Sequence, residues 1–519
     1  MELHASSASR CRHKWRVPIG FWLIIPVFCI GLYSAIVLAY ARSGAAFLPS
    51  TWLSGSHRND DGSIPADPQS HAEPDDDDDD DDAFVLHPKR HIFRQPRTIR
   101  LNWNITKEAR RPDGVLKDVY LINGQFPGPT VEARSGDRLE VTVTNGIAND
   151  TKDGLAVHWH GLFMKAANEM DGVVGVTQCS IPPAGSFTYR FQISEEQHGT
   201  FWYHAHSAVK RADGLYGGLV VHKPADEYDK NDDLSLYEYD AEKLLLVGDW
   251  YHAGADAVIA EYKDFRSFAL MPLWNPALTS KQLFPLLWSE PIGTADPRTT
   301  PAAADAVDLY DMAHAEAPHM PHTSAVRQEP AELAVLYTSL AINSFKDDEP
   351  WGELNHTSWV WKDPSAKPLL ATDRESWANG TAQANAMRNF HVPQFKAGED
   401  RWLELVVNNI DDKGHPFHLH GYEFFVVASR RARVGKSYNP FDDGDDENKQ
   451  RNLDTPLKRD TAYINPQGHV VLRLPLHNPG LWLMHCHALW HQAVGMGIVL
   501  QVGSIAPETA RNAAKSCSP

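Results

Sequence analysis

Positive charge is scarce in this chain of 519 residues, which holds 49 lysines and arginines against 67 aspartates and glutamates. The formal net charge of -18 repels phosphate backbones and argues against a nucleic-acid partner. Part of the excess is local, because residues 75–82 form an unbroken run of aspartates. Like charges repel each other, so we expect an acidic disordered linker over residues 42–97, with a metal- or partner-binding tail as the alternative.

Long apolar runs are also few, and the N-terminal run, from about Val17 to Tyr40, is uncharged and long enough to span a bilayer. Four basic residues precede it: Arg10, Arg12, Lys14 and Arg16. We interpret residues 1–41 as a cytosolic tail and signal anchor, with a signal peptide cleaved after Ala41 as the alternative. Either interpretation makes the remainder lumenal or extracellular. Four glycosylation sequons fit that location: Asn104, Asn149, Asn355 and Asn379.

The densest group of metal-binding side chains lies between Leu483 and Met496. It contains ligand types that copper selects: His485, Cys486, His487, His491 and Met496. On a strand, alternation sends Cys486 to one face and its two neighbouring histidines to the other, so one cysteine would join two metal sites. A cysteine, a histidine and a methionine are three of the four ligands of a blue-copper centre.

The second histidine of such a centre is available at His415. It begins the stretch 415–421, in which His418 and His420 are two residues apart and therefore share one strand face. Two further His-x-His pairs lie upstream: His158 with His160, and His204 with His206. Composition alone predicts roughly one such pair, whereas this chain has four.

These stretches resemble, in order and internal spacing, the four copper-binding motifs of the multicopper oxidases, particularly the ascomycete laccase-like and ferroxidase-like branch. Further similarity lies at Ile122-Asn123-Gly124 and Met170-Asp171-Gly172. The resemblance implies an all-β fold of consecutive cupredoxin-like Greek-key β-sandwiches, and short alternating strands such as residues 139–144 fit it. At 519 residues and 42% hydrophobic content, three domains have room to form. We place them at 98–224, 225–372 and 373–519.

The middle domain is where the resemblance fails. Residues 244–252 look like its opening strand, but residues 264–350 lack sustained period-two alternation. We therefore expect a truncated or diverged domain over 225–372. One group within it, His314, His319, Met320 and His322, could scavenge copper, although a plain surface loop is the simpler interpretation.

The resemblance also implies roles for individual residues and a cofactor of four coppers per chain. The type 2 copper would be held by His158 and His418. The type 3 pair would be held by His160, His204, His206, His420, His485 and His487. The type 1 copper would be held by His415, Cys486, His491 and the axial Met496, which is expected to lower the potential and favour easily oxidised substrates.

Proton delivery to dioxygen is expected from Asp171, which matches an acid that family members place beside the cluster. A turn residue in Met170-Asp171-Gly172 is the alternative interpretation. A second family acid, three residues after the cysteine, is replaced here by Leu489. A leucine cannot transfer a proton, so this position departs from the family pattern for proton delivery.

The reductant is the least determined feature. Similarity around Trp202-Tyr203 favours phenolic substrates of the laccase type, delivered near His491. Acids at Asp249 and Asp411 resemble those with which ferroxidases hold Fe(II), so a ferroxidase is the alternative. A third hypothesis is a catalytically impaired, membrane-anchored copper-binding protein.

Cysteine is scarce, with five in the chain. Two belong to the anchor region and Cys486 is assigned to copper. In ascomycete laccases a cysteine after the first His-x-His pairs with one near the C-terminus, so the resemblance implies a disulfide between Cys179 and Cys517. The alternative is two free thiols.

Overall fold

The computed structural model describes residues 84–147, 154–227, 239, 241–264, 324–343, 349–360, 362–379, 391–431 and 451–517. All of these lie in the second of the two units into which the chain divides, residues 80–519. The expected anchor, the aspartate run, Asn149 and the histidines at 314, 319 and 322 lie outside the described residues. Across the described ranges, the structure contains no helix long and apolar enough to cross a membrane.

The first half folds as a β-sandwich of two four-stranded sheets. One sheet has the strand order β2-β1-β4-β6, and the other has the order β3-β8-β7-β5. The strands are β1 (Thr98–Arg110), β2 (Lys117–Ile122), β3 (Gly128–Arg134), β4 (Arg138–Asn145), β5 (Val157–His160), β6 (Ser186–Gln192), β7 (Gly199–Ala205) and β8 (Tyr216–His222). Along β4, each second side chain is buried, as the alternation of Leu139, Val141 and Val143 requires.

The second sandwich packs a six-stranded sheet, β10-β9-β12-β17-β14-β15, with a five-stranded sheet, β11-β19-β18-β13-β16. Its strands are β9 (Glu332–Asn343), β10 (Glu349–Leu354), β11 (Gln394–Phe395), β12 (Trp402–Asn409), β13 (His415–Leu419), β14 (Phe424–Arg431), β15 (Leu457–Arg459), β16 (Thr461–Ile464), β17 (Gly468–Pro475), β18 (Gly480–Cys486) and β19 (Gly497–Val502). Strand β18 is buried throughout, since both of its faces are covered.

Strands β9 and β10 lie in the sequence range expected for the middle domain, yet they pair within the second sandwich. β9 runs parallel to β12, and β10 forms an antiparallel pair with β9. The strands of this sandwich therefore begin at Glu332, before the boundary at residue 373 that the sequence suggested. Of the middle range, the described residues 241–264 form no strand of a further sheet.

Five α-helices are described: α1 (Lys89–Ile92), α2 (Ala255–Lys263), α3 (Arg374–Asn379), α4 (Leu489–Ala493) and α5 (Pro507–Lys515). Helix α2 belongs to the middle range and contacts α4 and β10 of the second sandwich. A disulfide joins Cys179 to Cys517, just after α5, and thereby links the C-terminus to the first sandwich.

One hydrophobic core runs through both sandwiches and includes the fully buried Trp159 and Trp482. Buried amides also connect the halves. Asn168 donates to the carbonyl of Leu481 at 2.9 Å, and Asn478 donates to the carbonyl of Phe163 at 2.6 Å. The two sandwiches are held in a fixed relation, and the histidine motifs meet where they join.

Candidate copper sites

The strand pairing brings the four His-x-His pairs together. In the first sandwich, β5 and β7 are antiparallel with His158 opposite His204. In the second, β13 and β18 are antiparallel with His418 opposite His485. Because side chains two apart share a face, each pairing presents four imidazoles on one surface.

The eight imidazoles form one cluster between the sandwiches, which we call the histidine cluster. Its members are His158, His160, His204, His206, His418, His420, His485 and His487. Rings from opposite sandwiches are in close contact: His158 and His420 have centroids 3.8 Å apart, and His160 and His418 are 3.7 Å apart. The first seven are buried and His487 is partly exposed.

The hydrogen bonds of the cluster fit metal binding. His158, His204 and His418 each direct Nδ1 at a main-chain carbonyl, 2.7, 3.0 and 2.9 Å away. Their Nε2 atoms are buried and have no partner. A histidine that binds a metal through one nitrogen and is oriented by a carbonyl at the other shows this arrangement. Three-histidine groups with converging ligand atoms recur through the cluster.

Burial also leaves these rings in the form that a metal requires. Desolvation lowers the pKa of His204, His418, His420 and His485 well below the usual range, and neighbouring imidazoles lower it further. The rings are therefore neutral at physiological pH. A neutral imidazole offers a lone pair to a metal ion.

His487 differs from the other seven members. Nη1 of Arg211 lies 2.9 Å from its Nε2 and 3.2 Å from its Nδ1, and Nη2 of Arg211 donates to its carbonyl at 3.0 Å. A guanidinium is always a donor. For His487 to bind a metal, Arg211 must move away from the ring nitrogen, so the fit of this ligand requires a local rearrangement.

A second group of ligands lies on the other side of β18. Cys486 Sγ is 3.8 Å from Nδ1 of His415 and 3.5 Å from Nδ1 of His491, and the two Nδ1 atoms are 3.0 Å apart. Met496 is fully buried, and its carbonyl accepts a hydrogen bond from the amide of Cys486 at 2.9 Å. Burial raises the pKa of the Cys486 thiol to about 12, so a bound cation is needed to hold it as thiolate.

The three acids expected from the sequence lie in three different environments. Asp171 is fully buried in the histidine cluster, where its Oδ2 accepts from Nδ1 of His420 at 2.9 Å. Asp411 accepts from Nε2 of His415 at 2.9 Å, so it supports the cysteine-containing site. Asp249 is exposed on the surface.

Sequence reasoning missed two polar residues of the cluster. Asp460 places an oxygen 3.5 Å from His160 Nε2, and its main-chain carbonyl holds His418. Burial raises the pKa of Asp460, but hydrogen bonding and the charge of His160 outweigh this effect and lower the pKa below its usual range. Arg211 was also missed. Arg211 follows His206 by five residues, and that proximity was the available signal for it, whereas no histidine motif lies close to Asp460 in the sequence.

Two family models described as multicopper oxidase match this chain, at residues 104–226 and 361–505, and together they span more than half of it. The chain is 28% identical to the iron transport multicopper oxidase fetC of Epichloe festucae, covering 77% of this chain and 75% of the relative. It is 25% identical to laccase-1 of Cryptococcus neoformans, covering 82% and 84%.

Solved structures share the fold. The crystal structure of Fet3p, a multicopper oxidase that functions in iron import, aligns with a TM-score of 0.62 at 20% identity, covering 81% of this chain and 95% of that one. A mutant of the laccase from B. aclada aligns with a TM-score of 0.57 at 21% identity, covering 83% and 93%. The cupredoxin-like, all-β architecture is thereby confirmed.

Multicopper oxidases bind four coppers, and the histidine groups of this structure are consistent with that number. Laccases and iron transport oxidases resemble the chain to similar degrees. The chain therefore belongs to the multicopper oxidase family, in its fungal laccase-like and ferroxidase-like branch, and is a copper-dependent oxidoreductase.

Proposed function

We propose that this protein takes single electrons from phenolic, laccase-type substrates at a type 1 site and reduces dioxygen to water at a trinuclear site. The observation that carries the proposal is the position of Cys486. Its sulfur lies against His415 and His491, while its neighbour His485 contacts His420 in the histidine cluster, with Nε2 atoms 3.1 Å apart. When bound, copper supplies the one-electron steps and the chemistry of dioxygen reduction.

We assign the ligands accordingly. The type 1 copper would be held by His415, Cys486 and His491, with Met496 as a further ligand. The trinuclear set is the histidine cluster, with His158 and His418 for the type 2 ion. The remaining six are for the type 3 pair: His160, His204, His206, His420, His485 and His487. Neither sandwich supplies a full trinuclear set, so both must be present for activity.

Asp171 is the proposed proton donor to the trinuclear site. Its two carboxylate oxygens lie near Nδ1 atoms of two cluster histidines, 2.9 Å from His420 and 3.3 Å from His158. A buried carboxylate in this position orients both rings and can also exchange protons there.

The surroundings of His491 support a phenolic reductant. His491 is partly exposed, whereas its partner His415 is fully buried, so electrons reach the type 1 site most directly through His491. The ring of Tyr262 in helix α2 lies 6.4 Å from the His491 ring. Next to it, Trp490 contacts Tyr251 edge-on at 5.3 Å. Aromatic side chains of this kind pack well against phenol rings.

Oxidation of Fe(II) is the second candidate, because one carboxylate contacts a proposed type 1 ligand and another lies close in sequence to Tyr251. Asp411 is bonded to His415, and Asp249 is exposed two residues before Tyr251. Hard carboxylate oxygens are suitable ligands for iron. The third hypothesis, a catalytically impaired copper-binding protein, predicts no oxygen uptake with either reductant.

The substitution Asp249→Asn separates the two reductants. If phenols are the substrates, kcat/KM for a phenol and for Fe(II) should both change less than about twofold, since neither then depends on this charge. A loss of about tenfold or more in kcat/KM for Fe(II) alone would favour a ferroxidase. Such a loss corresponds to about 1.4 kcal/mol of interaction with Fe(II) that the carboxylate had supplied. Asp256→Asn, an exposed acid in helix α2, is the matched control.

We also propose that residues 17–40 anchor the enzyme in a membrane, with the copper-binding part lumenal or extracellular. The support is the apolar run and its basic flank. Asn104 and Asn355 are exposed and could carry glycans, whereas Asn149 and the side chain of Asn379 lie outside the part of the chain that the structure describes. Membrane fractionation before and after removing residues 1–41 tests the anchor. Retention of the shortened chain in the membrane fraction would contradict it.

A further inference from the structure

A group of ligands separate from the copper sites lies at the β3 edge of the sheet β3-β8-β7-β5, whose other edge carries the histidines of β5 and β7. His91 in helix α1, Glu132 in β3 and His222 in β8 bring their ligand atoms within 4.8 Å of one another. The same proximity is shown by His415, Cys486 and His491 at the type 1 site. This cluster therefore has the convergence that marks the copper sites of the same protein.

The hydrogen bonds make Glu132 the centre of the group. Its Oε2 lies 2.7 Å from Nε2 of His222, and its Oε1 lies 3.0 Å from Nδ1 of His87. The rings of His91 and His222 are stacked with centroids 5.0 Å apart. Two imidazoles on one tetrahedral ion have a similar separation, about 5 Å, given metal–nitrogen bonds of about 2.0–2.1 Å.

We propose that His87, His91, Glu132 and His222 form a zinc site that fastens the segment before β1 to the first sandwich. Three histidines and one carboxylate supply four nitrogen and oxygen atoms, which are ligand types that zinc binds. His87 lies just before α1, and its main-chain amide donates to Oε2 of Glu132 at 2.8 Å, which holds it beside the group. Chain segments far apart in sequence would then share one ion.

The chemical state of the ligands is compatible with a cation. Burial is the main reason that the pKa of His91 falls to about 4, so its ring is neutral. Burial raises the pKa of Glu132, but hydrogen bonds from His222 and His87 outweigh it and lower the pKa to about 2.

Three contacts must change when zinc binds. The ring nitrogens of His222 and His87 exchange their hydrogen bonds to Glu132 for the metal, and a contact of His91 changes if zinc binds through its Nε2. Nη2 of Arg94 lies 3.1 Å from Nδ1 of His91, and that nitrogen must carry the proton in the metal-bound tautomer. Arg94 keeps a strong partner in Asp137, whose Oδ1 is 2.7 Å from Nη1. Nη2 is also held by Asp137, to whose Oδ2 it donates at 2.5 Å, so the ring of His91 rather than the rigid guanidinium must turn when zinc binds.

The test is metal analysis of the copper-loaded, purified protein after dialysis. We expect one zinc per chain in addition to copper, and the loss of that zinc in His222→Gln with the blue absorption unchanged. His252→Gln is the matched control, because His252 is paired with a carboxylate of Asp113 at 2.8 Å on the exposed surface. It should retain zinc.

Thermal unfolding of the wild-type protein gives a second measurement that needs no variant. For protein freed of zinc, zinc added at about 100 times its Kd should raise Tm by about 3 °C, and magnesium should not. Glu132→Gln should abolish the shift. The absence of both retained zinc and a zinc-dependent shift would overturn the proposal, leaving a hydrogen-bonded carboxylate–histidine group. A fifth copper that is lost in His222→Gln would overturn the assignment to zinc.

Discussion

At Asp171, one carboxylate contacts two histidines that are assigned to different ions of the trinuclear site. In Asp171→Asn the amide keeps the shape but cannot accept and release a proton. We expect dioxygen turnover to fall about 100-fold, which is the low end for a lost general acid–base group. The blue absorption should remain, since the type 1 ligands are untouched.

Oxygen uptake under steady state, together with anaerobic bleaching of the blue band by substrate, distinguishes the two half-reactions in this variant. Bleaching at the wild-type rate with slow oxygen uptake is the expected pattern. Unchanged oxygen uptake would exclude Asp171 as the proton donor. Asp113→Asn, a partly exposed acid paired with His252, serves as the control.

Strand β10 connects the middle of the sequence to the type 1 site. A Cβ added at Gly352 would lie 2.7 Å from Cβ and N of Met496, closer than side chains approach main chain in proteins. Gly352→Ala should therefore displace the axial methionine, cost about 1–3 kcal/mol of folding free energy and shift the blue absorption.

The matched control is Gly248→Ala, because a Cβ there meets no atom within 4 Å. The visible spectrum and denaturant unfolding of both variants are the measurements. A spectrum of Gly352→Ala identical to that of the wild type would mean that Met496 does not sit in the copper coordination sphere as proposed.

Helix α5 is fastened to the first sandwich by the disulfide between Cys179 and Cys517. The cross-link closes a sequence separation of 338 residues, so removing it should lower the free energy of unfolding by about 2–5 kcal/mol. Denaturant unfolding of Cys517→Ser measures this loss. The double variant with Cys179→Ser should be no less stable than the single one, since both lack the same bond; additive losses would show that the cysteines act separately.

The grouping of the candidate copper ligands was predictable from the sequence because it depends on local rules. The two-residue period of a strand places Cys486 opposite its histidine neighbours, and the structure shows that separation around β18. The sheet membership of β9 was not predictable. β9 pairs in parallel with β12, which lies far along the chain. Parallel strands are not joined by a short hairpin turn, so no local sequence pattern identifies the partner strand. The contact of Arg211 with His487 likewise depends on how the two sandwiches meet.

The whole molecule is an oxidase only if the two sandwiches together hold all four coppers. Copper per chain, measured with the visible spectrum of residues 98–519, tests this most directly. The account predicts four coppers and an intense blue band, with the band lost and three coppers retained in Cys486→Ser. One copper or none, with no blue band in the wild-type protein, would show that these ligands do not assemble the oxidase that their geometry describes.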